Sequence, residues 1–330
     1  MNTIGISMCL AAAMTAGTLA YAEPDLYIAI NTTNEVLVID TQTDTLRKQI
    51  SGVISPHGLA LAQDGRSLVV GSSSKQKDAS GHTMSQLTIL SAFDGKPEAV
   101  IPMMNWSHDQ IATPDGRYVI STHPNEGRIC VTDLVTRKII TTLDIGKTAN
   151  HVVLSRDGRY AYVSSGGTNS IIEIDTTDWT IRRHLAGGPT PGQMVMSQDG
   201  KLLYAASFRS DELSVISVEF GTVVQTRHLG KGLHGIDMDT DGRLYISGGD
   251  GNRLYVVTPG VAAVQSLTLP DEPYWVRAVA GTDKIYVSAH KIPKLWVIDR
   301  KTLKLSKVIS LSGIGHHMAV NEAARVGTKP

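Results

Sequence analysis

Histidine is the residue type in this chain whose number and spacing could do chemistry. Eleven occur in 330 residues. A neutral imidazole is a ligand for copper, zinc, iron or nickel, and its charge changes near neutral pH. The spacing becomes informative when similar segments are aligned. Five stretches, 57–66, 108–117, 150–159, 192–201 and 234–243, run from an apolar segment into Asp-Gly and then Arg or Lys. The Asp-Gly pairs begin at 64, 115, 157, 199 and 241, at intervals of 51, 42, 42 and 42 residues, and a weaker copy at 275–284 carries Thr282-Asp283 in their place. Seven residues before the Asp, and at the matching place in the C-terminal segment, stand His57, His108, Asn150, Gly192, His234, Trp275 and His316. The next position holds Gly58, Asp109, His151, Gln193, Gly235, Val276 and His317. A third position, eight residues after the Asp or Thr282, adds His123 and His290, so three positions of the repeat hold eight of the eleven histidines.

The elements that must carry these positions follow from the repeat. Each copy reads as an apolar strand, an Asp-Gly hairpin turn and a second strand such as 159–164, then a third such as 170–175 and a fourth such as 179–185. Four short antiparallel strands every 40 to 45 residues describe a propeller blade. Six copies span about 53–311, and residues 25–50 supply strands two to four of another blade without a first strand. The missing strand is found at 316–320, which matches the opening of the repeat. The expected fold is therefore an all-β, seven-bladed β-propeller of four-stranded antiparallel blades, its ring closed by the C-terminal strand joining the N-terminal blade, with no exposed sheet edge.

The segment Tyr162-Val-Ser-Ser-Gly-Gly-Thr-Asn-Ser-Ile-Ile-Glu-Ile-Asp175, with looser copies at 204–217 and 286–299, resembles the YVTN-type seven-bladed propellers. That resemblance implies that the first strand of each blade lies nearest the axis and starts at the top face, where ligand sites commonly sit. His57, His108, His151, His234, His316 and His317 would then line the mouth of the hub, with His123 and His290 as outer ligands or behind the first six. A polar channel mouth needs hydrogen-bonding side chains in any case, and duplication can copy one histidine several times. Copying alone would keep one register in every blade, whereas here the histidines alternate between registers and include the His316-His317 pair.

The set Pro56-His57-Gly58, His108, His151, His234 and His316-His317 resembles the hub of the multicopper propeller enzymes, nitrous oxide reductase and thiocyanate dehydrogenase. This implies a copper site. The chain is much shorter than those enzymes, lacks the cupredoxin domain of the first, and has Gln193 and Trp275 where two blades might have supplied ligands. A second resemblance, to the haem d1 propellers, implies a tetrapyrrole on the top face with an axial histidine. In that reading Arg209 and Arg277 clamp its carboxylates, and Trp106, Tyr274 and Trp275 cover it. A third possibility is an interaction scaffold whose top face docks a protein partner through the insertion at 72–85, where His82 lies.

Other chemistry is sparse. Asp109 and Glu126 fall near the proposed mouth as orienting groups, a general base or ordinary loop acids. Met84, Met103, Met104 and Met318 fall near the same face as thioethers for cuprous copper or as core fillers. Cys130 reads as a buried thiol. The balance of 31 Lys+Arg against 31 Asp+Glu gives no basic field for nucleic acid. Residues 1–22 read as a signal peptide ending in Ala20-Tyr21-Ala22, which implies a periplasmic or secreted protein with no membrane span after cleavage. Residues 23–321 form the propeller and 322–330 a polar tail.

Overall fold

A computed structural model of the chain describes residues 24–62, 65–74, 81, 85–103 and 105–321. The expected signal peptide and polar tail, His82, Met84, Met104 and most of the insertion fall outside them. The described residues form seven four-stranded antiparallel sheets. Blade 1 joins Asp25–Ile30, Glu35–Asp40 and Thr45–Ser51 to the C-terminal strand Gly315–Val320, whose pairing Leu26↔Val320, Tyr27↔Ala319 and Ile28↔Met318 closes the ring. Blades 2 to 7 follow in order, with innermost strands Pro56–Ala62, Gln110–Ala112, Ala149–Leu154, Pro191–Met196, Leu233–Met238 and Pro273–Val279. The all-β, seven-bladed expectation is what the chain adopts. No helix among the described residues is long and apolar enough to cross a membrane.

Alternation along the strands places one apolar side-chain set on each face of every blade, so each sheet is covered only by its neighbours. Seven apolar clusters result, one between each pair of adjacent blades. The largest set, with Trp275, Tyr286, Leu295 and Val297 against Leu26, Ile28 and Ile30, locks blade 7 to blade 1 across the closure. Glycines 65, 116, 158, 200 and 242 of the Asp-Gly pairs all have φ between +67° and +80°, which a side chain disfavours and a hairpin turn requires.

One irregularity recurs and matters for the site. The pairing of the innermost strand with the second shifts register between Pro56 and Leu59, Ala149 and Val152, Pro191 and Met194, Leu233 and Ile236, and Pro273 and Val276. The C-terminal strand shifts likewise against Ile28 and Ile30. Each shift is a β-bulge that leaves two residues facing the axis, and they are the two hub positions. In four blades a hydroxyl of the second strand accepts the backbone N–H at the second hub position. Thr122 serves Asp109 (3.0 Å), Ser164 serves His151 (3.1 Å), Ser247 serves Gly235 (2.7 Å) and Ser288 serves Trp275 (3.2 Å).

The bulge also corrects the alignment of blade 7. Thr282 N–H donates to the Val279 carbonyl just as Gly158 N–H donates to Ser155, so Gly281-Thr282, not Thr282-Asp283, occupies the Asp-Gly slot. Counting from Thr282 therefore lands one residue late. Tyr274 is the first hub residue of blade 7, Trp275 the second, and His290 lies one residue past the end of its strand, Lys284–Ala289.

Candidate functional site

Around the axis the hub side chains form a closed circuit of rings. Centroids are 4.9 Å apart for His316 and His57, 4.8 Å for His57 and His108, 4.7 Å for His108 and His151, and 6.5 Å for His151 and His234. Tyr274 completes it, 4.0 Å from His234 and 5.6 Å from His316. Asn150 and Gly192 leave blades 4 and 5 without a ring at the first position. His151 fills that gap from the second position.

Neighbouring carbonyls assign the ring protons of His57 and His108. His57 Nδ1–H donates to the His108 carbonyl at 2.9 Å, and His108 Nδ1–H donates to the Asn150 carbonyl at 3.0 Å. His151 Nδ1 lies 3.3 Å from Asp109 Oδ2. In His57 and His108 Nε2 is thereby left to offer a lone pair, the arrangement typical of metal-binding imidazoles. His151 Nδ1, His234 Nδ1 and His316 Nδ1 are buried without a hydrogen-bond partner, a costly state that an added ligand would relieve. Burial, reinforced by the neighbouring imidazoles, pushes His57 down to about 3 and His316 to about 4, and holds His108 and His234 well below the ordinary histidine value. These four rings are neutral at pH 7 and their lone pairs are available.

His317 has a different role. Its Nδ1 accepts the backbone N–H of Leu59 at 3.1 Å and its Nε2 faces Asp109 Oδ1 at 3.2 Å, so both nitrogens are occupied. It belongs to a set of clasps in which a hub side chain accepts a backbone N–H of the next blade. Asp109 Oδ2 takes that of Val152 (3.1 Å), Gln193 Oε1 that of Ile236 (3.0 Å) and Asp237 Oδ2 that of Ala278 (2.9 Å). Burial alone would raise the Asp109 pKa, but contacts with His151 and His317 outweigh it and hold the carboxyl well below its usual range. Asp109 therefore orients His151 and ties blades 1, 3 and 4 together.

The remaining candidates divide between the two ends of the axis. Trp106 stands edge-on to His57 (5.7 Å) and His108 (5.5 Å). Trp275, buried in the blade 7 core, stands edge-on to His151, His234 and His317. His123 is buried beside Trp106, whose carbonyl accepts its Nδ1–H at 3.2 Å, and burial pushes it down to about 4. His290 is half exposed, stacks on Tyr274 at 4.3 Å and lies 3.2 Å from Glu272 Oε2 through Nδ1. A cavity of about 370 Å³ opens over the gap in the circuit, lined by His108, His151, His234, Tyr274, His290, Phe208 and Arg209 among others. Arg277 is not among them. It lines the axial channel and a cavity at the opposite end, where the inner strands finish, so it cannot share a ligand at the top face with Arg209.

The nitrogens do not converge on one point. Among the described residues, the metal-type trio whose ligand atoms all lie within 4.8 Å of one another is Asp211, Glu212 and His228 on the outer part of blade 5; the hub histidines provide no such trio. Reading the sequence missed the hydroxyls that support the bulges and the role of Tyr274. The serine of the Tyr-Val-Ser and Tyr-Ile-Ser repeats at 162–164, 245–247 and 286–288 carried the signal for the first.

Comparison with known proteins agrees with this architecture. A family described as "Lactonase, 7-bladed beta-propeller" matches residues 118–231. Among curated proteins none matches the sequence. The fold is similar to that of the periplasmic gluconolactonase PpgL of Pseudomonas aeruginosa, with a TM-score of 0.75 and 16% identity over 90% of this chain and 98% of that one. It is also similar to hydrazine synthase of Kuenenia stuttgartiensis, with a TM-score of 0.68 and 20% identity over 79% of this chain and 87% of that one. Dihydro-heme d1 dehydrogenase NirN, solved in complex with DHE, gives a TM-score of 0.65 and 14% identity over 87% and 64% of the two chains. At these identities the likeness is one of fold.

Proposed function

We propose that this propeller is an exported, periplasmic or secreted protein that holds a transition-metal centre at its hub through His57, His108, His151, His234 and His316. The observation that carries this reading is the circuit itself. Five imidazoles face one axis, four of them held neutral by burial. Two have Nδ1–H on a backbone carbonyl, and three, His151, His234 and His316, have a buried Nδ1 with no hydrogen-bond partner, that of His151 lying 3.3 Å from Asp109 Oδ2. An all-imidazole set favours copper, which leads the divalent series in affinity for such donors. Because metal to imidazole distances are about 2.0–2.1 Å and no three hub nitrogens cluster, one ion takes at most two of these rings. The centre then holds more than one ion, or completes its shell with small ligands from solution. His317 is removed from the ligand set, and His123 and His290 flank it. Bound metal would supply Lewis acidity or one-electron chemistry; the chain supplies position, a fixed proton on His57 and on His108, and a cavity leading to the rings.

The test is elemental analysis of untagged wild-type protein after exposure to copper, zinc and iron salts, beside His57→Ala and His234→Ala. Retained copper in the wild type, lost in both variants while His317→Ala keeps it, is the expected result. Equal metal content in all forms overturns the reading.

A second reading has its own observation. The 370 Å³ cavity is lined by Phe208, Arg209, His234, Tyr274 and His290, which would offer aromatic surface, a cation and imidazole donors to the edge of an anionic tetrapyrrole. The similarity to a propeller solved with DHE supports it. Haem added to the protein should then give a Soret shift that His290→Ala or His234→Ala abolishes. A protein partner on the top face is the third proposal, and it predicts that hub substitutions leave partner capture intact.

A further inference from the structure

The cavity of about 370 Å³ at the top of the hub carries side chains that the imidazole circuit does not use. We propose that it takes a small aromatic carboxylate, its ring against an aromatic run beside the circuit and its carboxylate on Arg209. Such binding needs neither a metal nor a macrocycle; it rests on the reading of the hub as a ligand site and names the class of molecule admitted there. The aromatic run is Phe208, His234, Tyr274 and His290, with successive ring centroids 5.6, 4.0 and 4.3 Å apart. All four line the cavity, whose volume lies within the roughly 300–1,000 Å³ of small-molecule sites. His234 adds a buried Nδ1 without a hydrogen-bond partner.

The loops between second and third strands build this wall unevenly. Their first residues, in blade order, are Asn31, Ser73, Pro124, Gly166, Phe208, Gly249 and His290, so the fold does not require a large ring there. Blade 5 nevertheless supplies Phe208, 54% accessible, beside an exposed Arg209, while blade 4 lines the same cavity with Gly166 and Gly167 at the matching places. The charges favour an anion. None of the described residues lining the cavity is acidic, and Arg209 forms no hydrogen bond or ion pair among the described residues. The acids that adjoin lining residues are engaged: Asp109 by His151 and His317, Glu272 by His290 and Lys291, and Asp211, beside Glu212, by His228. Lys231 joins Arg209 and Glu272 at a smaller adjoining cavity of about 230 Å³. A guanidinium binds a carboxylate through two parallel hydrogen bonds, and an aromatic ligand gains from offset or edge contact with other rings.

The experiment is calorimetric titration of metal-free wild-type protein with phenylacetate, and with phenethylamine, cyclohexylacetate and acetate for comparison. The same titrations follow for Arg209→Gln, Arg209→Lys and Phe208→Ala, at two exposed positions whose replacement spares the blade cores. The expected result is phenylacetate binding in the wild type, weaker by about tenfold or more in Arg209→Gln and by about threefold or more in Phe208→Ala. Arg209→Lys keeps the charge but not the planar fork, and should bind between wild type and Arg209→Gln. No phenylacetate binding by the wild type, phenethylamine binding as tightly as phenylacetate, or affinities indifferent to Arg209 would each overturn the proposal. Cyclohexylacetate or acetate binding as tightly as phenylacetate, or indifference to Phe208, would overturn the aromatic assignment. A copper-exposed sample titrated in parallel separates this from the metal centre. Retained copper without phenylacetate binding in either form overturns the ligand class alone, and phenylacetate binding by protein that retains no copper overturns the metal centre alone.

Discussion

The backbone N–H of Leu59 in blade 2 donates to His317 Nδ1 in blade 1 across the seam where the ring closes. With Nε2 against Asp109, this imidazole is a structural connector inside what looks, by residue type alone, like a ligand set. His317→Ala should therefore lower unfolding free energy by about 1–3 kcal/mol, through an unpaired Leu59 N–H and a less supported Asp109. Copper content should be unchanged. Denaturant titration beside elemental analysis reads both quantities, and loss of metal without loss of stability would contradict the assignment.

The hydroxyls under the bulges make a second prediction. Ser164→Ala and Ser247→Ala each strand a buried backbone N–H, that of His151 and that of Gly235, and each should cost about 1–3 kcal/mol. Threonine at either position should restore most of the loss, since Thr122 already performs this task in blade 3.

Gly235 is a point where two blades meet backbone to backbone. A Cβ there would lie 2.4 Å from the Tyr274 carbonyl oxygen and 2.8 Å from the Val276 nitrogen, neither of which can swing aside. Gly235→Ala should push blade 7 away from blade 6, destabilise the protein by more than about 2 kcal/mol, and shift Tyr274 off His234. Near-ultraviolet circular dichroism and thermal melting would register both effects.

Acid should weaken the metal-free protein in a defined window. His57, His123 and His316 have folded-state pKa values of about 3, 4 and 4, against 6.5 in a solvated chain. As pH falls below about 6.5 the unfolded chain gains protons that the folded one refuses, so stability is complete above that pH and declines down to about 4. Each of these histidines contributes a slope approaching 1.4 kcal/mol per pH unit within the window. Chemical denaturation at pH 7.5, 6, 5 and 4.5 would show it, and His123→Phe should flatten the curve.

The seven blades were legible because the Asp-Gly turns recur at near-constant spacing and need glycine for a physical reason, a positive φ. The closure was legible because residues 25–50 lack one strand and 316–320 supply one. What sequence could not give was the bulge. Gly281-Thr282 does the work of Asp-Gly without its letters, so the neighbouring Asp283 attracted the alignment and Trp275 took the place that belongs to Tyr274. Arg277 was misplaced for a related reason: two or three residues along an inner strand separate the hub from the lower channel, a distance that residue type does not reveal. His317 shows the limit of composition. The sequence identifies an imidazole near the axis, but only its hydrogen bonds separate a connector from a ligand.

The C-terminal strand carries a consequence for assembly. His316 reaches the circuit, and His317 its contacts with blades 2 and 3, on the strand Gly315–Val320, which follows the other described strands in the sequence. Six blades can be paired within themselves while the hub still lacks the ring between Tyr274 and His57. The circuit of rings is therefore complete only when Gly315–Val320 has paired with Asp25–Ile30, so forming the hub and closing the ring are one event.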